Sequence, residues 1–434
     1  MTDESIFENK TAAYYTLGCK LNFAETSAIG RSLLEQGVRT ARVGERAQFC
    51  IINTCSVTEL ADKKCRYMIR RAHREHPGAV MVVTGCYAQL SPNEVAALEG
   101  VDIVLGSEQK LDVATYLMDR GVKTGQQIVY TPTQDISVFQ ISSSSDQRTR
   151  HYLKVQDGCD YQCSYCTIPK ARGRSRNGTI AEIVRETERI VREGGVEIVL
   201  TGVNIGDFGR TTGESFLELL RALIEVKGIA RFRIGSIEPN LLTPEIIDFC
   251  STTPKIAPHF HIPLQSGSDE VLRLMRRRYT TALFSSRVDY IRERIPHAFI
   301  GVDVIVGTRG ETEARYEDCY KYLQALPCSC LHVFSYSERP GTAALNINHA
   351  VDGRDKHKRS QRLQRLSEEK QRAFYETCIG RPMQVLWEEG CVGGWMTGYT
   401  ENYIRVGKPY DADAVGRMEV VVPTRWHEGG SFLI

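Results

Sequence analysis

Short, largely apolar runs punctuate the first third of the chain at Ala13–Leu17, Phe49–Ile52, Val80–Val83 and Val101–Leu105, with amphipathic segments between them. Runs of this length, joined by stretches of helical period, predict strands buried on both faces. They imply a small parallel α/β domain over residues 11–130. Three of the runs lead into a cysteine, at Gly18–Cys19, Thr54–Cys55 and Gly85–Cys86. Sites in open parallel sheets lie beyond the carboxyl ends of the strands. The fold would thus gather Cys19, Cys55 and Cys86 at one edge, far apart though they are in sequence.

Residues 131–147 lose this periodicity and are polar and Ser-rich, the composition of a linker. A second strand–helix series follows. Tyr152–Gln156, Ile198–Thr201, Arg231–Ile237, His259–Leu264, Phe299–Val306 and His332–Tyr336 read as strands, and Ile180–Arg192 as an amphipathic helix. Such a series predicts a partial (β/α)6 barrel over 148–373, with its site at the strand C-termini. Arg354–Phe374 reads as a long helix holding eight Lys or Arg residues. Beyond Gly380 the pattern changes to short strands with Gly and Tyr: Met383–Glu388, Trp395–Thr397, Tyr403–Val406 and Met418–Pro423. These predict a small all-β barrel over 374–434.

Apolar residues make up 42% and charged residues 25% of the chain, the balance of a water-soluble globular protein. The acidic start MTDESIFENK has no secretory pattern, and no apolar stretch approaches membrane-spanning length. A cytoplasmic monomer with no membrane partner is expected. In that reducing compartment the 14 cysteines read as metal ligands or buried thiols. A net charge of +2 supplies no global field, so a nucleic-acid partner would have to be met by local basic patches. Arg66, Arg70, Arg71 and Arg74 offer one, and Lys356, Lys358, Arg359, Arg362 and Arg365 another. For either, an ordinary solvated face is the alternative.

The run CDYQCSYC places Cys159, Cys163 and Cys166 at Cys-x3-Cys-x2-Cys spacing. Three thiolates so placed can hold three irons of a 4Fe–4S cube and leave the fourth without a protein ligand. A zinc knuckle would want a fourth Cys or His at matching spacing, and none lies nearby in sequence. For Cys19, Cys55 and Cys86 the residues alone leave two readings open, cluster ligands or small buried side chains.

The words around these cysteines carry a resemblance. TLGCKLNFAE, INTCSVTELADKK, VTGCYAQ, GCDYQCSYCTIPKARGRSRN, GSIEP, HIPLQSGSD, MRRRYT and HVFSYSERPGT resemble the methylthiotransferases, a subfamily of radical S-adenosylmethionine (SAM) enzymes. The GCKLN word is similar to the branch acting on N6-threonylcarbamoyladenosine at tRNA position 37. The isopentenyladenosine branch usually reads GCQMN there and the ribosomal-protein branch GCPKN. The resemblance implies two 4Fe–4S clusters, one on Cys159, Cys163 and Cys166 with SAM, the other on Cys19, Cys55 and Cys86 as sulfur source. It implies two SAM per turnover, radical removal of hydrogen from C2 of the adenine, and delivery of a methylthio group there. It also implies a tRNA anticodon stem–loop as partner, a TRAM-like RNA-binding end, and an electron donor such as flavodoxin or ferredoxin. The sulfur donor is left open. Alternatives are action on isopentenyladenosine or a ribosomal protein, or a noncatalytic iron–sulfur RNA-binding protein.

By the same resemblance Tyr165, Gly202, Asn204, Ser236, Glu238, Gln265 and Arg278 are expected at the SAM or substrate mouth. Caps for Ser236 and Gln265 and a surface pair for Arg278 are the alternatives. A carboxylate such as Glu238 at a buried mouth needs a cationic or donating partner. Arg309, Lys358, Arg362, Tyr399 and Tyr403 are candidate RNA contacts. Thr308–Arg309 stands where most relatives have Phe-Pro, which softens that loop and adds a charge.

Overall fold

The computed structural model describes residues 7–122, 125–144, 149–427 and 431–433. The first six residues and part of the expected linker lie outside these. The N-terminal sheet has six parallel strands in the order β2-β1-β3-β4-β5-β6. These are β1 (Thr11–Thr16), β2 (Arg39–Thr40), β3 (Phe49–Thr54), β4 (Val80–Gly85), β5 (Ile103–Leu105) and β6 (Gln127–Val129). Helices α1 (Lys20–Glu35), α2 (Glu59–Glu75), α3 (Cys86–Leu90), α4 (Pro92–Ala96) and α5 (Val113–Val122) connect them.

Period-2 alternation explains the layering. Cys50 and Ile52 of β3 pack with Cys65, Ile69 and Ala72 of α2. Phe49 and Ile51 turn the other way, onto Ile29 and Leu33 of α1 and Leu117 of α5. β3 is buried at every position, as a central strand covered on both faces must be.

The barrel begins with β7 (Ser142–Ser143), which lies in the stretch expected as linker and pairs antiparallel with β8 (Arg150–Lys154). A two-residue ribbon of β9 (Gln156–Asp157) and β10 (Arg176–Asn177) brackets the CDYQCSYC loop and α6 (Ile168–Arg172). The series α7 (Ile180–Arg192), β11 (Glu197–Thr201), α8 (Phe216–Ile224), β12 (Arg231–Ile234) and α9 (Pro244–Thr252) follows. Then come β13 (His259–Gln265), α10 (Asp269–Leu274), α11 (Thr281–Arg294), β14 (Phe299–Val306), α12 (Glu313–Ala325) and β15 (Cys330–Ser335). β8, β11 and β12 pair in parallel, as do β13, β14 and β15, and the bridge Ser236↔His261 joins the two groups. Together they make the six-stranded partial barrel. No helix among the described residues is long and apolar enough to cross a membrane.

Helix α13 (Gly353–Glu376) leads into a curled, mostly antiparallel sheet in the order β19-β16-β17-β18-β21-β20. Its strands are β16 (Met383–Val392), β17 (Trp395–Thr400), β18 (Arg405–Pro409), β19 (Met418–Val421), β20 (Arg425–His427) and β21 (Ser431–Leu433). It is fastened to the base of the barrel. Arg231 and Arg233, buried on Glu197, donate to the carbonyls of Gln384, Thr400 and Glu401.

Candidate active site

The CDYQCSYC loop is set by Gln156. Its amide donates to Asp157 O, Gly158 O and Ser175 Oγ at 2.9, 2.7 and 3.0 Å, while its Oε1 accepts the amides of Val203 and Asn204 at 3.0 and 2.8 Å. Gly158 has φ +69°, and a Cβ there would stand 2.0 Å from Arg174 O, so only glycine fits. The sulfurs accept in turn: Cys159 from Tyr161 N at 3.3 Å, Cys166 from Ile168 N at 3.4 Å, Cys163 from Arg277 at 3.0 Å. Burial pushes the Cys159 and Cys166 thiols up to about 12. Such thiols stay protonated at neutral pH until a metal displaces the proton.

All three cysteines line one cavity of about 340 Å³, together with Tyr161, Tyr165, Asn204, Ser236, Glu238, Gln265, Arg277 and Asp303. Val57 and Thr58, just after Cys55, form its wall from the N-terminal domain. Gln265 holds φ +70° beside a bulge in β13, a strained conformation for a side chain other than glycine. Asn204 is buried with both its amide nitrogen and its carbonyl oxygen unpaired among the described residues. That amide suits a polar ligand. Ser236 Oγ meets His261 Nδ1 at 2.6 Å, and His261 Nε2 meets Asp303 Oδ1 at 2.6 Å.

Several expectations are corrected. Arg278 stands over the Tyr161 ring and donates to Asp160 O, outside the cavity. Its neighbour Arg277 takes the inward place and pairs with Glu238. Burial raises the Glu238 carboxyl and Arg277 offsets only part of that. Gly202 does not line the cavity; it packs against Ile205 and Gln156, where a Cβ would not fit. The amides of the turn are taken by Gln156.

The RNA candidates divide, most being engaged within the protein. Arg309 pairs with Glu338 and donates to the carbonyls of Leu345 and Ile347, so it ties its own loop together. Arg362 pairs with Glu317 and lies over Tyr320, and neighbouring Arg359 pairs with Glu311 and Glu313. Lys358 is exposed, 3.9 Å from Asp355. Tyr399 and Tyr403 stack on each other at 4.8 Å, Arg150 stands over the first and Arg233 over the second. The two tyrosines are packing between barrel and terminal sheet. Gln156, Arg277, His261 and Asp303 were missed; in MRRRYT, sequence alone does not show which arginine turns inward.

The second triplet lies at the carboxyl edge of the N-terminal sheet. Cys19 caps α1, Cys55 follows β3 and Cys86 opens α3. Gly18 has φ +104°, and a Cβ there would meet Cys55 Cβ at 2.8 Å and its Sγ at 3.1 Å. The backbone is cut away to let these loops close. A buried charge network joins this edge to the barrel. Arg172 of α6 donates to Asn22 Oδ1, Glu25 Oε1 and Asp157 Oδ1 at 2.8, 2.9 and 3.0 Å, and Asn22 Oδ1 also faces Cys19 Sγ at 3.6 Å. Lys110 and Lys154 complete it on Glu25. Burial opposes ionising Glu25, but Arg172, Lys110 and Lys154 outweigh it and hold the carboxyl well below its usual range. Burial brings Lys110 down to about 8.

The donor sets discriminate between metals. A single zinc ion holds its sulfurs about 3.8 Å apart, from bonds of ~2.3 Å in a tetrahedron. Among the described residues only His261, Asp303 and His332 bring three ligand atoms all within 4.8 Å of one another. Neither cysteine triplet is so tight, and three thiolates without a fourth ligand are the donor set of an iron–sulfur cube with one open iron.

Residues 11–106 match the family model described as uncharacterized protein family UPF0004, and residues 153–323 match the radical SAM superfamily. The chain is 37% identical over 422 residues to the threonylcarbamoyladenosine tRNA methylthiotransferase MtaB of Bacillus subtilis (strain 168), covering 94% of this chain and 92% of that one. It is 34% identical to the protein of the same name from Aquifex aeolicus (strain VF5), covering 91% and 95%. A tRNA-2-methylthio-N(6)-dimethylallyladenosine synthase of Parafrankia sp. (strain EAN1pec) is 32% identical, over 86% of this chain and 77% of that one. Among solved structures, the radical SAM methyltransferase TsrM of Kitasatospora setae, with cobalamin and a [4Fe-4S] cluster bound, superposes with a TM-score of 0.57 at 14% identity. That match covers 89% of this chain and 80% of TsrM.

Proposed function

This chain belongs to the radical SAM tRNA methylthiotransferase family, and from that premise we propose that it inserts a methylthio group at C2 of N6-threonylcarbamoyladenosine in tRNA. What carries the reading is the pair of cysteine triplets set on either side of one interdomain contact, in a chain like its MtaB relatives over nearly its whole length. GCKLN favours this base over isopentenyladenosine.

Cys159, Cys163 and Cys166 would hold the cluster that takes SAM, and Cys19, Cys55 and Cys86 the auxiliary one. When bound, these groups supply hydrogen-atom abstraction from an unactivated C–H bond and the sulfur that replaces the hydrogen. The chain's own residues bind, orient and enclose. Asn204 offers its amide NH2 and its carbonyl oxygen, both without a partner among the described residues, to the polar end of SAM. Arg277 pairs with Glu238 and donates to Cys163, so the Glu238 carboxyl at the mouth has a cationic partner. Asp303 and Ser236 hold the His261 ring from both sides, which fixes its tautomer and orientation. Tyr161 and Tyr165 supply the apolar walls that exclude water.

We further assign residues 11–130 to the auxiliary cluster, 148–373 to SAM and 374–434 to a TRAM-like RNA-binding module, in a cytoplasmic monomer. The reductant would be a flavodoxin or ferredoxin. Cys159 also borders a second, outward cavity of about 530 Å³ lined by Lys170, Arg174 and Asp160, with Lys170 donating to Gly341 O and Arg174 facing Asp160. The test is nucleoside mass spectrometry of tRNA incubated anaerobically with reconstituted enzyme, SAM and dithionite. Methylthio mass added to threonylcarbamoyladenosine alone is expected; a gain on isopentenyladenosine instead refutes the assigned base, and no 5′-deoxyadenosine refutes the chemistry.

A further inference from the structure

We propose that the solvent face of α2 is the docking surface for the stem of the substrate RNA; this rests on the tRNA-modifying reading above. Helix α2 carries six Lys or Arg against three acids, whereas the whole chain nets only +2. The helical period sorts them. Asp62, Cys65, Ile69 and Ala72 are buried. Leu60, Lys64, Tyr67, Arg70, Arg71 and Arg74 share the opposite face.

Partners decide which cations are available. Arg66 bonds Tyr87 and Glu94, Lys63 pairs with Glu59, and Arg71 pairs with Glu75. Lys64, Arg70 and Arg74 are exposed and have no hydrogen bond or ion pair among the described residues. Between them Leu60 and Tyr67 are 61% and 58% exposed. Unpaired cations along one exposed helix face form the pattern that tracks a phosphate backbone.

The stripe is fixed relative to the cavity. Val57 and Thr58 line the cavity, and exposed Val57 and Phe334 rim its mouth. Glu59 N donates to Ser337 Oγ at 3.1 Å, and Arg339 donates to Ser56 Oγ and Asp62 Oδ2 at 2.9 and 2.6 Å. From Leu60 to Arg74 the face runs about 21 Å away from that mouth, at 1.5 Å per residue. A hairpin whose loop base enters the cavity would lay its stem phosphates along it. An acidic electron donor is the competing occupant, and binding and reduction assays separate it from RNA.

The test is fluorescence anisotropy of a labelled anticodon stem–loop on the reconstituted enzyme across a salt series, with iron content and circular dichroism as folding controls. K64E/R70E/R74E should weaken binding at least tenfold at ~0.15 M salt and flatten the log–log salt slope by about two to three. Y67A, which removes no charge, should leave the slope unchanged. R185E/R221E/K227E, which reverses three exposed cations on or just after α7 and α8, should do much less. Unchanged binding in the α2 triple variant, or equal weakening in the α7–α8 one, overturns the proposal. Intact RNA binding with slowed reduction by flavodoxin gives the face to the electron donor instead. Failure of the unsubstituted enzyme to bind the stem–loop would sink the tRNA reading itself.

Discussion

Removing Arg172 should loosen the contact between the two cysteine-bearing domains by an amount the structure allows one to work out. Its side chain is 2% exposed and binds Glu25 and Asp157, which are 0% and 2% exposed. Glu25 and Asn22 belong to α1; Asp157 and Arg172 belong to the barrel. In Arg172→Ala, Lys110 and Lys154 still face Glu25, and Lys154 and Arg176 still face Asp157. The carboxylates therefore stay ionised but lose the fork that joins them. Breaking a buried pair costs about 3–5 kcal/mol, and the surviving cations set the expectation at the low end, about 3 kcal/mol. Arg172→Lys keeps the charge but not three-way reach and should cost about 1–2 kcal/mol. Hydrogen exchange followed by mass spectrometry reads this locally. Amides in the first turns of α1 and in α6 should exchange on the order of a hundredfold faster in Arg172→Ala, and about tenfold faster in Arg172→Lys, at about 1.4 kcal/mol per decade. Exchange within threefold of wild type in Arg172→Ala would show that the network does not hold the domains together.

Arg277→Ala should weaken SAM binding at least tenfold by equilibrium dialysis, because hydrogen bonds to charged groups are worth about 1.5–3 kcal/mol; Arg278→Ala should change it less than threefold. Cys55→Ala is expected to lose about half the bound iron and all methylthiolation while still producing 5′-deoxyadenosine, as measured by chromatography. Tyr403→Ala removes the ring packed on Arg233 and His259; it should cost about 3–5 kcal/mol locally, seen as faster proteolysis after α13. Burial lowers Lys110 from its ordinary value to about 8, so below that pH the folded state bears the full cost of its buried charge, and above it sheds the proton while the unfolded chain keeps it. Relative to Lys110→Met, urea stability of the wild type should therefore rise as pH goes from about 8 toward the ordinary lysine value. A flat difference would refute the lowered value.

What the sequence could disclose follows from where the information sits. Four of the six parallel N-terminal strands announced themselves because central strands such as β3, covered on both faces, carry near-continuous apolar runs; exposed β2 (Arg39–Thr40) and short β6 (Gln127–Val129) carry none. The cysteine loop announced itself because its ligands are neighbours in sequence. β7 escaped notice because two serines have no apolar signature; Ser142 and Ser143 are buried by pairing with β8. Charged residues were the hardest to read, since their role depends on partners brought from elsewhere by the fold. Arg309, Arg359 and Arg362 resemble free cations in sequence and are spent on Glu338, Glu311 and Glu317. Arg172 sits in a basic word beside the cysteines, and nothing local says that its acceptors include Glu25, 147 residues away. Tyr399 and Tyr403 have the spacing of a stacking platform, but the platform faces the protein's own arginines. The same accounting singles out α2. Once every internal ion pair is assigned, Lys64, Arg70 and Arg74 remain without partners among the described residues, on one face leading away from the cavity mouth, and a cation kept there without an internal use is a better guide to an external polyanion than any count of basic residues.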